Sequence, residues 1–156
     1  MAFCNAKEYL EKKGFADRIK EFTVSSATVE LAANALGTKP CHIAKSMTFN
    51  VNGVPVMVIC AGDTKIDNHK FKEYFNTKAK MLSFDEVHNL IGHDVGGVCP
   101  FGINEGVEVY ADISLKRFDT VYPACGSSNC AVELTTSELY ELSGAMEYID
   151  VCKIVE

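Results

Sequence analysis

Residues 92–102, Gly-His-Asp-Val-Gly-Gly-Val-Cys-Pro-Phe-Gly, constrain this chain more than any other stretch. Four glycines and a proline in eleven positions exclude a regular helix and a central strand. Gly96 and Gly97 are free to take φ > 0 and to let a second group come close to the backbone, while Pro100 biases Cys99 toward an extended conformation. A loop of this kind is either a rigid turn or a cradle. As a cradle it aims several N–H groups at one phosphate, carboxylate or developing oxyanion.

A second element lies upstream. Ile43-Ala44-Lys45-Ser46-Met47-Thr48-Phe49 and Val54-Pro55-Val56-Met57-Val58-Ile59-Cys60 flank an Asn52-Gly53 pair, the strongest short-range signal for a β-hairpin. Lys45 then opens the first strand among apolar neighbours. It is either a solvated surface charge or a cation that buries its stem and offers its ammonium to an anion. Ala61-Gly62-Asp63 reads as the turn that ends the second strand.

Around these two elements the patterning predicts one mixed α+β domain over residues 1–156. Helices are expected from Asn5 to Lys13 with Gly14 as stop, over 28–36 ending at Gly37, over 68–75, from the capping box Ser83-Phe84-Asp85-Glu86 to Leu90, and from Thr135-Thr136-Ser137-Glu138, ending before Gly144. Strands are expected over 19–24, 45–60 as the hairpin, 79–82, 107–111, 120–124, 130–134 and 147–152. Strands outnumber helices and connections are short, which implies a curved mixed sheet or partly open barrel with helices packed outside.

Composition narrows the class. With 47% hydrophobic residues, no apolar run near the ~20 residues of a membrane span and no basic-then-apolar leader, the expectation is a cytoplasmic protein without a membrane partner. The seven cysteines, at 4, 41, 60, 99, 125, 130 and 152, include no Cys-x-x-Cys pair, and His42, His69, His88 and His93 lie outside zinc-site spacing. Buried free thiols are therefore expected, with no metal and no cofactor. Cys99 lies inside the glycine loop, and His93 is the one local partner that could make it a nucleophile. Residues 1–80 carry a net charge of +4 and residues 81–156 one of −10. Lys65, Lys70, Lys72, Lys78 and Lys80 form the best candidate for phosphate contact or, more plainly, a solvated face. An overall charge of −6 leaves little nonspecific attraction to nucleic acid and argues against DNA as a partner.

Ile43-Ala44-Lys45-Ser46-Met47, the Gly62-Asp63 turn followed by Lys65 and Asp67, Val95-Gly96-Gly97-Val98-Cys99-Pro100-Phe101-Gly102 and the later Gly126-Ser127 resemble, in order and spacing, the YbaK/ProX-type aminoacyl-tRNA deacylases. Their domain also occurs inserted in bacterial prolyl-tRNA synthetases, and the resemblance runs from about residue 20 to the C-terminus. It implies a six-stranded barrel and a trans-editing activity that hydrolyses the ester of a mischarged tRNA. By the same resemblance, Lys45 contacts the 3′-terminal adenosine or orients the ester, and Gly96 and Gly97 supply backbone donors at the scissile carbonyl. Phe22, Ser46, Gly62, Asp63, Val98, Pro100, Phe101, Gly102 and Gly126 are the implied substrate-binding positions. The implied partners are the acceptor end of tRNA, gripped weakly, and an aminoacyl-tRNA synthetase as a further candidate.

The chain departs from the cysteinyl-specific branch at three pocket positions: Phe22 stands for a tyrosine, Ser46 for a threonine and Ala131 for an aspartate. A pocket stripped of polar groups discriminates by size, so alanyl, seryl and threonyl groups are candidates beside cysteinyl. Two other readings stay open: a non-catalytic module of the same fold that binds aminoacyl-adenosine or a synthetase, and a hydrolase of another small ester or phosphate conjugate.

Overall fold

The Asn52-Gly53 turn organises the molecule. Asn52 and Gly53 have φ of 53° and 88° in the computed structural model, the double positive φ that matches the twist of a tight hairpin. The structure describes residues 2–94 and 96–155, with residues 2–4 described by their backbone alone. The strands are β1 (Ile19–Glu21), β2 (Ile43–Val51), β3 (Val54–Ala61), β4 (Thr64–Ile66), β5 (Glu108–Asp112), β6 (Thr120–Pro123), β7 (Cys130–Val132), β8 (Leu134–Thr135), β9 (Tyr148–Ile149) and β10 (Cys152–Ile154). The helices are α1 (Ala2–Lys12), α2 (Val29–Leu36), α3 (Asn68–Phe75), α4 (Phe84–Glu86) and α5 (Thr136–Ser143).

The hairpin β2–β3 is the centre of a curled six-stranded mixed sheet in the order β8-β6-β2-β3-β5-β9. β6 joins β2, and β5 joins β3, in parallel, while β1–β7 and β4–β10 form two small antiparallel pairs beside it. β3 is buried on both faces, as its continuous apolar run requires. Met57, Ile59 and Ala61 join Leu10, Ile91, Phe101, Val121 and Leu139 in the larger core cluster. Val56, Val58 and Cys60, on the opposite face, meet Phe49, Phe71 of α3 and Val151 in a second cluster.

Local capping chemistry sets the helix boundaries. Thr28 accepts from the Leu31 N–H and Gly37 closes α2 at φ 71°; Ser83–Glu86 and Thr135–Glu138 form full capping boxes. α4 runs on as a π-helical turn, Val87–Ile91, with Val87 and Ile91 buried. Three expectations are corrected. Asn5 lies inside α1 instead of capping it. The strand expected over 79–82 reduces to one bridge, Phe49 to Met81. The strand over 130–134 breaks at Glu133, because β7 pairs with β1 and β8 with β6. No helix among the described residues is long and apolar enough to cross a membrane.

Candidate functional site

β2 makes its outer edge bonds in two separate places. At its start Ile43 and Ala44 pair with Tyr122 and Pro123. Farther on, the Leu82 N–H donates to the Thr48 carbonyl at 3.1 Å and the Asn50 N–H to the Lys80 carbonyl at 2.9 Å. Backbone groups of alternate residues point to the same edge of a strand, so those of Ser46 face the gap between Ala44 and Thr48. A cavity of about 220 Å³ opens there. It is lined by β2 from Ile43 to Thr48, by Ser26–Val29 and Ala32, by Met81, Leu82 and Val87, by Gly96 and Val98, and by Tyr122, Ala124, Cys130 and Ala131. That volume is below the ~300–1,000 Å³ that suits a drug-sized ligand, and fits a small group carried by a larger molecule.

Lys45 borders this cavity, and its Nζ donates to the carbonyl of Thr64. The pleat places Lys45 opposite Cys60 on β3, and Ser46 opposite Ile59 on the other face. The Ser46 hydroxyl is buried without a hydrogen-bond partner. An ammonium has three donors, so the Thr64 bond leaves Lys45 able to hold a ligand as well.

The glycine loop closes the cavity from the other side. Gly96 takes φ 102°, which only glycine adopts without strain. Gly97 is buried against the loop at 125–130: a Cβ there would lie 2.6 Å from the Ser127 nitrogen and 2.7 Å from the Gly126 carbonyl carbon. The Gly126 N–H donates to the Gly97 carbonyl at 3.0 Å. The Gly97 N–H is spent on the Asp94 carbonyl at 3.1 Å, which corrects the expectation that both glycines offer free donors. The N–H groups of Gly96 and Val98 have no acceptor among the described residues.

The loop at 125–130 is itself a hub. It accepts the Phe22 N–H at Asn129 (2.8 Å) and the Ser26 N–H at Ser128 (2.6 Å), and so fixes the segment that leads into α2. Cys125 and Cys130 are disulfide-bonded across it, with Cα atoms 6.0 Å apart. This corrects the expectation of free thiols for that pair: the chain reverses between Ala124 and Ala131, which bridge in antiparallel register. Cys41, Cys60, Cys99 and Cys152 are free, and the Cys4 side chain lies outside the described residues.

Cys99 and His93 do meet, Sγ to Nε2 at 3.5 Å, but both are fully buried. His93 Nε2 donates to the Phe101 carbonyl at 2.7 Å and its Nδ1 has no partner. Burial pushes the Cys99 thiol up to about 12 and holds His93 below the ordinary imidazole value. A thiolate nucleophile is therefore not available at neutral pH, and the pair belongs to the core.

Of the residues singled out in the sequence, Lys45, Ser46, Gly96 and Val98 converge on the cavity, with Gly97 and Gly126 directly behind it. Phe22 is half-buried beside Asn129, outside the lining. Gly62 packs against the Pro40 carbonyl, and Asp63 holds Arg117 in a two-pronged ion pair at 2.6 and 3.0 Å. Pro100 and Phe101 are buried, Phe101 against Tyr9, and Gly102 lies against the backbone of Asn5. Ser26, Ala27, Thr28, Met81 and Val87 were not foreseen. Their only local mark is proximity to the caps at Thr28 and Ser83, and long-range pairing brings them in. Among the described residues no group of three His, Cys, Asp or Glu side chains could hold a metal ion.

The sequence profile of the aminoacyl-tRNA editing domain matches residues 23–142. The chain belongs to that family. This editing domain is 54% identical over 136 residues to the uncharacterized protein YwhH of Bacillus subtilis (strain 168), covering 86% of this chain and 87% of YwhH. It is 30% identical over 110 residues to the proline–tRNA ligase of Bacillus cytotoxicus, covering 70% of this chain and 19% of the ligase. Its fold superposes on the crystal structure of a candidate trans-editing enzyme for prolyl-tRNA synthetase with a TM-score of 0.87 at 27% identity, over 97% of both chains. The structure of protein APE2540 gives a TM-score of 0.85 at 27% identity over 96% of this chain and 99% of that one.

Proposed function

We propose that this editing domain is a trans-acting aminoacyl-tRNA deacylase that removes a small, wrongly attached amino acid. The observation that carries the reading is that one small cavity is lined by Lys45 together with Gly96 and Val98, whose N–H groups have no acceptor among the described residues. Water adds to the ester carbonyl, a tetrahedral oxyanion forms, and the bond to the ribose oxygen breaks to release the free amino acid and the tRNA hydroxyl. Gly96 and Val98 donate to the oxyanion, and one such donor is worth ~3 kcal/mol of transition-state stabilisation. Lys45 positions the terminal adenosine or the ester. Neither a serine nor Cys99 serves as nucleophile in this scheme, and the substrate's own amino and hydroxyl groups assist the attacking water. The lining is mainly apolar, so alanyl, seryl, threonyl and cysteinyl esters are sorted chiefly by size.

The test is deacylation of a panel of aminoacyl-tRNAs by the wild type beside Lys45→Ala. Hydrolysis of one or a few members, lost in the variant, supports the reading and names the substrate. Silence across the panel from a folded protein favours a non-catalytic module that binds aminoacyl-adenosine or a synthetase.

A further inference from the structure

Met81 lines the cavity yet is 58% exposed, and Phe84, three residues along the chain, is 75% exposed. Met81, Leu82 and Val87 line it, and Phe84 precedes Val87 by three residues, on the same face of the helical segment. The apolar lining therefore continues out of the cavity onto an open aromatic surface. Neighbouring exposed large hydrophobes beside a ligand cavity are the kind of contiguous apolar surface that binds a partner.

The charge beside them selects the occupant. Lys80 sits close enough to Glu86 to help hold that carboxyl below its ordinary value, after the larger effect of the Ser83 hydrogen bonds. Lys80 also directly precedes the cavity-lining Met81, and its carbonyl accepts the Asn50 N–H at 2.9 Å. Lys78 and Lys72 border the next depression along the chain, and among the described residues none of these three lysines has a carboxylate within salt-bridge distance. Asp85 and Glu86 are the opposing charges, and Glu86 is already engaged by the Ser83 N–H at 2.9 Å. An aromatic surface flanked by a lysine track is the pattern that binds single-stranded nucleic acid: bases stack on the ring and phosphates follow the cations. The cavity is too small to hold more than the esterified end, so preceding nucleotides must lie outside it.

Resting on the deacylase reading, we propose that Phe84 and Met81 form the stacking platform for the unpaired nucleotide that precedes the terminal adenosine, its phosphate directed to Lys80.

The chain contains no tryptophan, so Phe84→Trp introduces a single fluorescent reporter at the platform. Titration of that variant with an unacylated RNA oligonucleotide ending in CCA is expected to quench the fluorescence saturably, and less so in Lys80→Ala or at high salt. In deacylation, Phe84→Ala is expected to lower the preference for aminoacyl-tRNA over the corresponding aminoacyl-adenosine about tenfold, through KM, with Phe84→Tyr restoring it. An unquenched tryptophan, or an unchanged preference in Phe84→Ala, overturns the proposal. The fluorescence measurement needs no catalysis. A quenched reporter with a silent deacylation panel would therefore retain the platform and reject the hydrolase, and the reverse would do the opposite.

Discussion

The Gly97 carbonyl accepts the Gly126 N–H at 3.0 Å, and this bond joins the loop that bears the candidate oxyanion donors to the loop closed by Cys125 and Cys130. The two backbones approach so closely that no side chain fits between them: a Cβ on Gly97 would meet Ser127 N at 2.6 Å. The obstructing atoms are backbone, which cannot swing aside as a flexible side chain would. Gly97→Ala is therefore expected to cost about 1–3 kcal/mol of stability through overpacking and to displace Gly96 and Val98 from the cavity. Urea unfolding and deacylation check it together; wild-type values of both would show that the loops separate freely.

Lys45→Ala is expected to abolish deacylation and leave the fold intact. The half-buried side chain gives up one hydrogen bond to the carbonyl of Thr64, the first residue of β4, whose hydroxyl donates to the Ala61 carbonyl. A net loss of ~0.5–1.5 kcal/mol is the scale for such a bond. Circular dichroism melting beside single-turnover deacylation separates the two effects. Retained activity would remove Lys45 from the mechanism.

What could be read in advance was local. The Asn52-Gly53 turn, the Gly37 stop, the Ser83–Glu86 capping box and the helix start at Thr135–Glu138 each depend on residues within four positions of one another, and the structure has them where the patterning puts them. A curved mixed sheet followed from the count and spacing of strands, and its six strands from the family resemblance. Long-range register was not legible. Nothing in the order of residues shows that the Gly97 N–H turns back to Asp94, that β7 and β8 take different partners, or that Phe101 leaves the glycine loop for the core against Tyr9. The disulfide escaped for the same reason: five residues of separation are compatible with many geometries, and the bridge between Ala124 and Ala131 selects one.

Acid should destabilise the domain in two windows. Asp63 is held below its ordinary carboxylate value first by its hydrogen bonds to Arg117, so its contribution is present above the unfolded value near 3.8 and is lost as pH falls through the lower folded one. His93 is held below 6.5 by burial, so the unfolded chain takes up a proton first and stability begins to fall as pH drops below about 6.5. Asp63→Asn should flatten the lower window, and His93→Phe the upper one. Denaturant midpoints measured from pH 8 to pH 3 check both; a flat profile in the wild type would contradict the burial of His93.

Cys99 is expected to be chemically silent. Its thiol is fully buried and pushed up to about 12, so at pH 8 the reactive thiolate is present at roughly one part in ten thousand, before access is considered. Iodoacetamide applied to the native protein should leave Cys99 unmodified while labelling half-exposed Cys41, and peptide mapping by mass spectrometry reads both. Cys99→Ala should retain deacylation, with a small-cavity cost of about 1 kcal/mol. Loss of deacylation in a variant that melts near the wild-type temperature would return Cys99 to the mechanism. The Gly96 and Val98 donors would then have to serve an acyl-enzyme instead of a direct attack by water.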